Sequence, residues 1–150
     1  EGAFGVSVGD RDGWYATLAV AAGAHEKVVS NLFFQEQLGR EVGWRVRTLV
    51  QAMPHRARFV VLPPGVLGGA GLDVSEGTWN VDGDTELLET VAHALATGGL
   101  VFAVVAVGSD CLALRDPERG RGERVYGFRH RERLLRDWEL VHAYSAEPWA

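Results

Sequence analysis

The chain alternates between two hydrophobic periods. Short apolar runs typical of β-strands are followed by stretches in which apolar residues recur every three or four positions, as in amphipathic helices. Residues 4–8 form the first run and the alanine-rich residues 14–22 form the first such stretch. Residues 27–29 and 34–42 repeat this arrangement. The pattern therefore predicts two consecutive strand–helix units at the start of the chain.

Two further strands are predicted downstream of these units. Residues 44–50 alternate between the two sides of a strand, which favours a third strand. Residues 58–62 contain a continuous apolar run that Pro63 and Pro64 must end, because proline has no amide hydrogen to donate to a sheet. This fourth strand is expected to be buried. The glycine-rich, acidic residues 65–83 are interpreted as a long loop that holds at most a helical turn.

The clearest helix in the sequence follows this loop. Asp84 is predicted to be its N-cap, and apolar side chains recur at helical spacing from Leu87 to Leu95. The glycines of the Thr97-Gly98-Gly99 segment are expected to end it. Residues 100–107 are apolar at every position, which is typical of a strand covered on both faces by helices. This strand is predicted to form the centre of the sheet.

The last third of the chain is more polar. Residues 116–124 are charged and glycine-rich and predict a mobile solvent loop. Residues 128–138 predict a short surface helix, on which four arginines form either a solvated face or a contact for an acidic partner. Residues 139–144 alternate in the manner of a closing strand.

The order of these elements predicts the fold class. Alternating strands and helices favour an α/β fold, because parallel neighbours need crossover connections. We expect a doubly wound, mostly parallel sheet of about six to seven strands with helices on both faces. Residues 1–150 are interpreted as a single domain. Ligands of such sheets bind at the carboxyl ends of the strands.

Composition and charge narrow the function classes. The 150 residues are 47% hydrophobic and 23% charged, as in an ordinary globular domain. A formal net charge of −5 argues against a broad nucleic-acid-binding surface. No apolar run approaches the roughly 20 residues of a membrane span, so no membrane partner is expected. The single cysteine forms no internal disulfide and fits a reducing, cytoplasmic location.

Several kinds of catalytic site find little support in the sequence. The five histidines show no His-x-x-x-His spacing and are expected to be solvent-exposed or structural. The acids of residues 73–84 do not follow the EF-hand pattern and are interpreted as a solvated loop. Neither a Gly-x-Ser-x-Gly elbow nor a P-loop is present. Cys111 is expected to be a small buried residue, with a reactive thiol as the alternative.

Three segments, in this order, are similar to those of a known family. Residues 4–32 read FGVSVGDRDGWYATLAVAAGAHEKVVSNL, residues 89–111 read ETVAHALATGGLVFAVVAVGSDC, and residues 127–147 read GFRHRERLLRDWELVHAYSAE. Together they resemble the first, fifth and closing strand regions of class I S-adenosylmethionine-dependent methyltransferases, in particular the small tellurite-resistance type. The resemblance implies the same parallel α/β fold and S-adenosylmethionine as the cofactor.

The resemblance also implies the positions of the site. Gly9, Asp10 and Gly13 belong to the turn after the first strand, and Asn31 follows the second strand; these four residues would line the cofactor. Pro63 and Pro64 follow the fourth strand and would shape the side of the methyl acceptor, which is an undetermined small molecule. Catalysis would rest on placing the acceptor in line with the activated methyl group.

Three positions depart from the family pattern and favour a second hypothesis. Arg11 replaces the middle glycine of the first turn, where a side chain hinders close approach of the backbone to a ligand. Asn31 and Gln51 stand where the family commonly has acids, so they lack the charge that strengthens hydrogen bonds to the cofactor. The alternative is an inactive methyltransferase-like domain that lost the cofactor and acts as a protein-interaction or scaffolding module within a protein complex. A third hypothesis is a small-ligand-binding domain on the same sheet.

Overall fold

The computed structural model of the protein describes residues 5–7, 55–73, 78–118 and 120–144. The strands in these residues are β1 Gly5–Ser7, β2 Ala57–Leu62, β3 Leu72–Asp73, β4 Thr78–Trp79, β5 Leu95–Ala103, β6 Ala106–Val107, β7 Cys111–Asp116 and β8 Arg121–Tyr126. The helices are α1 Val66–Gly69, α2 Gly83–Ala94 and α3 Phe128–Leu134. These elements form two sheets.

The first sheet is parallel and has the order β1-β2-β5. Ser7 pairs with Val61, and Val61 pairs with Phe102 on the other side of β2. Because all three strands run in the same direction, their carboxyl ends lie at one edge of this sheet. The predicted first, fourth and fifth strands are therefore neighbours.

A tight turn ends β2 as the sequence predicts. Pro64 and Gly65 are its central residues, and the backbone N–H of Val66 donates to the carbonyl oxygen of Pro63 at 3.2 Å. Gly65 has φ 82° and ψ −13°, the values of the third residue of a type II turn, where glycine avoids a clash of Cβ with the backbone. The turn leads directly into α1.

Helix α2 covers β2 and forms most of the described core. Its side chains Leu87, Leu88 and Val91 are buried against Val60 and Leu62 of β2. Full burial of such a side chain stabilises a fold by about 1.5–3 kcal/mol. This helix and the burial of its leucines confirm the predicted helical spacing as far as Val91. The predicted end at Thr97-Gly98-Gly99 is wrong, because α2 ends at Ala94 and Leu95 begins β5.

Both ends of α2 are held by other segments. A Cβ atom on Gly83 would lie 2.5 Å from the carbonyl oxygen of Ala70, so only glycine lets α2 begin this close to the end of α1. At the other end, the backbone N–H groups of His55 and Arg56 donate to the carbonyl oxygens of His93 and Ala94. These bonds satisfy carbonyls that a helix end leaves without an intrahelical partner.

The second sheet is mixed. Its strands lie in the order β4-β3-β8-β6, and β7 pairs with β8 in an antiparallel hairpin. Strand β6 runs parallel to β8, whereas β3 runs antiparallel to it. Helix α3 follows β8 and has no buried residue, which confirms the predicted surface helix.

The prediction of a doubly wound, mostly parallel sheet of six to seven strands with helices on both faces is wrong for the described residues. They contain a three-stranded parallel sheet, a separate mixed sheet and three short helices. The apolar run of residues 100–107 is divided between the two sheets, because β5 ends at Ala103 and β6 begins at Ala106. Leu100 and Phe102 are 44% and 54% exposed, so β5 is not covered on both faces.

Other predictions of local structure are also corrected. Residues 65–83 hold α1, β3 and β4 in place of one long loop, and residues 116–124 include the last residue of β7 and the first four residues of β8. Residues 139–144 form neither strand nor helix. Cys111 is exposed on β7.

The predicted elements between residues 8 and 50 lie outside the described residues, which leaves those predictions as they stand. Among the described helices, none combines the length and the apolar character that crossing a membrane requires.

Candidate functional site

Most of the predicted cofactor site lies outside the described residues. This applies to Gly9, Asp10, Gly13 and Asn31, and to the departing positions Arg11 and Gln51. The structure describes the predicted acceptor side, where Pro63 is buried and Pro64 is exposed. No predicted cofactor residue is thus placed relative to the two prolines.

The described part of the carboxyl edge includes the end of β2 and the turn that follows it. The carbonyl oxygen of Leu62 accepts the backbone N–H of Val104 at 3.1 Å, which fixes the end of β2 beside the residue that follows β5. Pro63 then enters the type II turn, and Pro64 faces solvent. Residues 62–66 carry no charged side chain, so this rim offers apolar surface and backbone groups to a ligand.

A buried polar cluster, the Asp84 cluster, lies at the start of α2. It consists of Asp84, Arg124, Tyr126 and Arg133. Asp84 is 0% exposed, although it is a carboxylate. Its oxygens accept the Tyr126 hydroxyl at 2.9 Å, the backbone N–H of Thr85 at 2.9 Å and the Arg133 guanidinium at 2.8 Å. A buried carboxylate needs such partners to offset the loss of hydration.

Arg124 is as deeply buried as Asp84, with 0% of its side chain exposed. Its guanidinium donates to four carbonyl oxygens, at distances of 2.6–3.2 Å, on Gly68, Ala70, Asn80 and Val81. Its Nε also lies 3.5 Å from Asp84. Burial lowers the pKa of Arg124, and the Asp84 carboxylate acts in the opposite direction. The side chain joins β8 to the segments on either side of β3 and β4.

The cluster is completed by Tyr126, the last residue of β8, and by Arg133 of α3. Burial, followed by the charge of Asp84, raises the pKa of the Tyr126 hydroxyl well above its ordinary value. Arg133 also donates to Asp82 at 2.7 Å and to the carbonyl oxygen of Val81 at 3.0 Å. Apart from Nε of Arg133, which is buried without a hydrogen-bond partner, the buried polar atoms of the cluster are hydrogen-bonded. This arrangement is typical of a structural contact rather than of an acid–base site.

The sequence missed this cluster. Arg124 fell within a predicted solvent loop, and Arg133 was interpreted as part of a solvated helix face or an acidic-partner contact. Asp84 was predicted to cap α2, but the N-cap is Asp82, and Asp84 lies inside the first turn. The only local sign of the cluster is the alternation along β8, in which Gly122, Arg124 and Tyr126 are buried. A hydrophobicity pattern does not reveal this alternation, because arginine is counted as polar.

A second polar contact begins α3. The carboxylate of Asp110 accepts the backbone N–H groups of Gly127, Arg129 and His130 at 2.8–2.9 Å. Burial acts to raise the pKa of Asp110, but these N–H groups and the His130 ring outweigh it and hold the pKa below its ordinary value. Asp110 thus anchors a helix whose own N-cap, Gly127, has no side-chain acceptor.

A cleft of about 410 Å³ runs along α2 beside the first half of β5. Its walls come from α2, from the Ala96–Gly99 backbone and from the end of α3 with Trp138. Within the residues that the structure describes, no three His, Cys, Asp or Glu side chains gather in a way that could hold a metal ion.

Comparison with protein-family models, with curated proteins and with solved structures finds no match to this chain. The resemblance stated from the sequence therefore rests on the quoted residues alone and stays a prediction.

Proposed function

We propose that the chain is a methyltransferase-like domain that binds S-adenosylmethionine at the carboxyl edge of the β1-β2-β5 sheet and transfers its methyl group to an acceptor beside Pro63 and Pro64. The observation that carries the proposal is the parallel pairing of Ser7 with Val61. Gly9 follows Ser7 by two residues, as Pro63 follows Val61. Two residues span at most about 7 Å, so a glycine turn at residues 9–13 would begin at the edge where the proline turn begins.

The order of the three strands also supports a cofactor site at this edge of the sheet. In nucleotide-binding parallel sheets the first strand lies between the second and the fourth, and the fourth lies beside the fifth. The strands that the resemblance makes first, fourth and fifth are β1, β2 and β5, and they are neighbours in that order. The proposal concerns these three strands and does not restore the larger sheet.

The described rim is chemically compatible with this cofactor. When bound, S-adenosylmethionine supplies a methyl group on a positively charged sulfur. Residues 62–66 include no cation that would repel this charge. The fixed φ of Pro64 and the Pro63–Val66 hydrogen bond hold the rim in one conformation, which favours placement of an acceptor.

Isothermal titration calorimetry with S-adenosylmethionine and S-adenosylhomocysteine tests the proposal. The folded chain is expected to bind both, and Gly13→Arg is expected to abolish binding, because a second arginine would fill the first turn. His93→Arg is the matched control: it adds the same side chain at an exposed position of α2 and should leave the affinity unchanged. Absence of heat from either compound at millimolar concentration, with the protein folded by circular dichroism, would refute the proposal.

One observation favours the alternative of a protein-interaction module. Leu100, Phe102 and Val104 alternate along β5 and the residue after it, and they are 44%, 54% and 46% exposed. Apolar side chains grouped on one face of a strand are typical of interaction surfaces. This alternative predicts a folded chain that binds neither compound and that self-associates in sedimentation experiments, with Phe102→Asp abolishing the association.

A further inference from the structure

The cleft along α2 owes its shape to an irregularity in β5. Between the pairs Ala57–Leu95 and Phe59–Leu100, β2 advances by two residues whereas β5 advances by five. Residues 96–99 therefore leave the ladder, and this bulge forms one wall of the cleft. The cleft lies at the start of β5, whereas Pro63 and Pro64 lie where β2 ends.

Part of the cleft wall is apolar, and it includes one aromatic side chain. Leu88 and Leu95 are buried core residues, and Leu134 and Trp138 pack against the same core while lining the cleft. A volume of about 410 Å³ is within the range of small-molecule sites. The cleft is thus large enough for a ligand with an apolar body.

The charges of the cleft are two carboxylates and one guanidinium. Arg133 lines it, but both of its terminal nitrogens donate to Asp82 and Asp84, which neutralise its charge. The carboxylates of Glu89 and Asp137 also line it, and neither forms an ion pair with another described residue. Among the described residues that line the cleft, the uncompensated charge is therefore negative.

We propose that this cleft binds a small organic ammonium ion with an apolar body. The ammonium group would lie between the carboxylates of Glu89 and Asp137, and the body would lie against Leu88, Leu134 and the indole of Trp138. An aromatic face beside carboxylates is an arrangement that attracts organic cations. The site is independent of the proposed cofactor, since it uses other residues.

Phenethylammonium is a suitable probe, with 2-phenylethanol and phenylacetate as neutral and anionic analogues of nearly the same shape. Titration followed by ¹H–¹⁵N correlation spectra should give saturable shifts of the Gly98 and Gly99 amides with the ammonium ion. The alcohol should bind several-fold more weakly, and the anion should not bind. This comparison uses the unmodified chain, so it does not depend on whether a variant folds.

Variants of Glu89 and Asp137 then test whether these two carboxylates bind the ammonium group. Glu89→Gln with Asp137→Asn is expected to weaken phenethylammonium binding about fivefold, the range of exposed ion pairs. Glu139→Gln removes an exposed carboxylate that does not line the cleft and should leave binding unchanged. The proposal is overturned if phenylacetate binds as tightly as phenethylammonium, if the double variant binds the probe as the wild type does, or if no shift saturates by about 10 mM.

Discussion

Nη2 of Arg133 lies 2.8 Å from each carboxylate oxygen of Asp84, and this contact joins the end of α3 to the first turn of α2. Asp84 is fully buried, whereas the Arg133 side chain is 26% exposed. The two residues are 49 positions apart in the sequence. Through them, and through Arg124, the charged C-terminal part of the chain is held to the start of the helix that covers β2.

Replacing Asp84 tests the energetic weight of this contact. Asp84→Asn would leave the buried Arg124 guanidinium without its carboxylate, and loss of one partner of a buried pair costs about 3–5 kcal/mol. We expect a loss of about 3 kcal/mol or more in the free energy of unfolding, measured by urea denaturation. Asp82→Asn is the control, because Asp82 pairs with Arg133, as Asp84 does, but is 61% exposed; it should cost about 1 kcal/mol or less. Equal losses in the two variants would contradict the account.

Replacing Arg124 by lysine should lower the stability of the fold. A lysine ammonium is a compact charge and does not reproduce the fork with which the guanidinium reaches four carbonyl oxygens. Arg124→Lys is therefore expected to cost at least about 2 kcal/mol of stability, since buried acceptors lose their donors. Arg129→Lys, at an exposed position of α3, should change the unfolding midpoint little. Wild-type stability of Arg124→Lys would show that these carbonyls do not depend on the guanidinium.

Tyr126 predicts a loss of stability at high pH. Its pKa is raised in the folded state above the ordinary 10.0, so folding favours the protonated hydroxyl. The contribution is fully present below pH 10 and is lost as the pH rises further, at up to about 1.4 kcal/mol per pH unit. Tyr126→Phe should be less stable at pH 7 but should show a shallower decline above pH 10. Parallel pH profiles of the two proteins would contradict this assignment.

Asp110 predicts the opposite pH dependence. Its pKa is held below the ordinary 3.8, so the folded state favours the ionised carboxylate. Its contribution is present above that value and is lost as the pH falls through the lower, folded-state pKa. Asp110→Asn should lower the thermal midpoint at pH 7 and should narrow the gap to the wild type below pH 3.8. A gap that stays constant down to pH 2 would count against the anchoring role of this carboxylate in α3.

The sequence predicted local elements better than their assembly. The end of β2 at Pro63, helix α2 and helix α3 follow from proline chemistry, apolar spacing and charge. Strand β8 of the antiparallel hairpin does not, because charged residues and glycine dominate from Arg115 to Arg124 and match the composition of a loop. The apolar run at residues 100–107 predicted one central strand, whereas hydrophobicity alone does not reveal where a strand passes from one sheet to another.

The candidate sites show the same difference between local features, which the sequence predicts, and tertiary contacts, which it does not. Pro63 and Pro64 lie at the carboxyl end of a parallel strand, as their position after an apolar run predicts. The Asp84 cluster was not predictable, because its members come from three separate elements and its three charged members have residue types that are mostly exposed to solvent. Only tertiary contacts bring Arg124 and Arg133 to one carboxylate.

The most direct test of the central claim maps the site of S-adenosylhomocysteine on the chain by ¹H–¹⁵N correlation spectra. Because this compound carries an ammonium group of its own, the position of the shifts matters as well as their presence. Binding at the carboxyl edge predicts saturable shifts of the Gly65 and Val66 amides, with the Gly98 and Gly99 amides unchanged. Shifts confined to Gly98 and Gly99, or no saturable shift in the folded protein, would contradict a cofactor site at the end of β2.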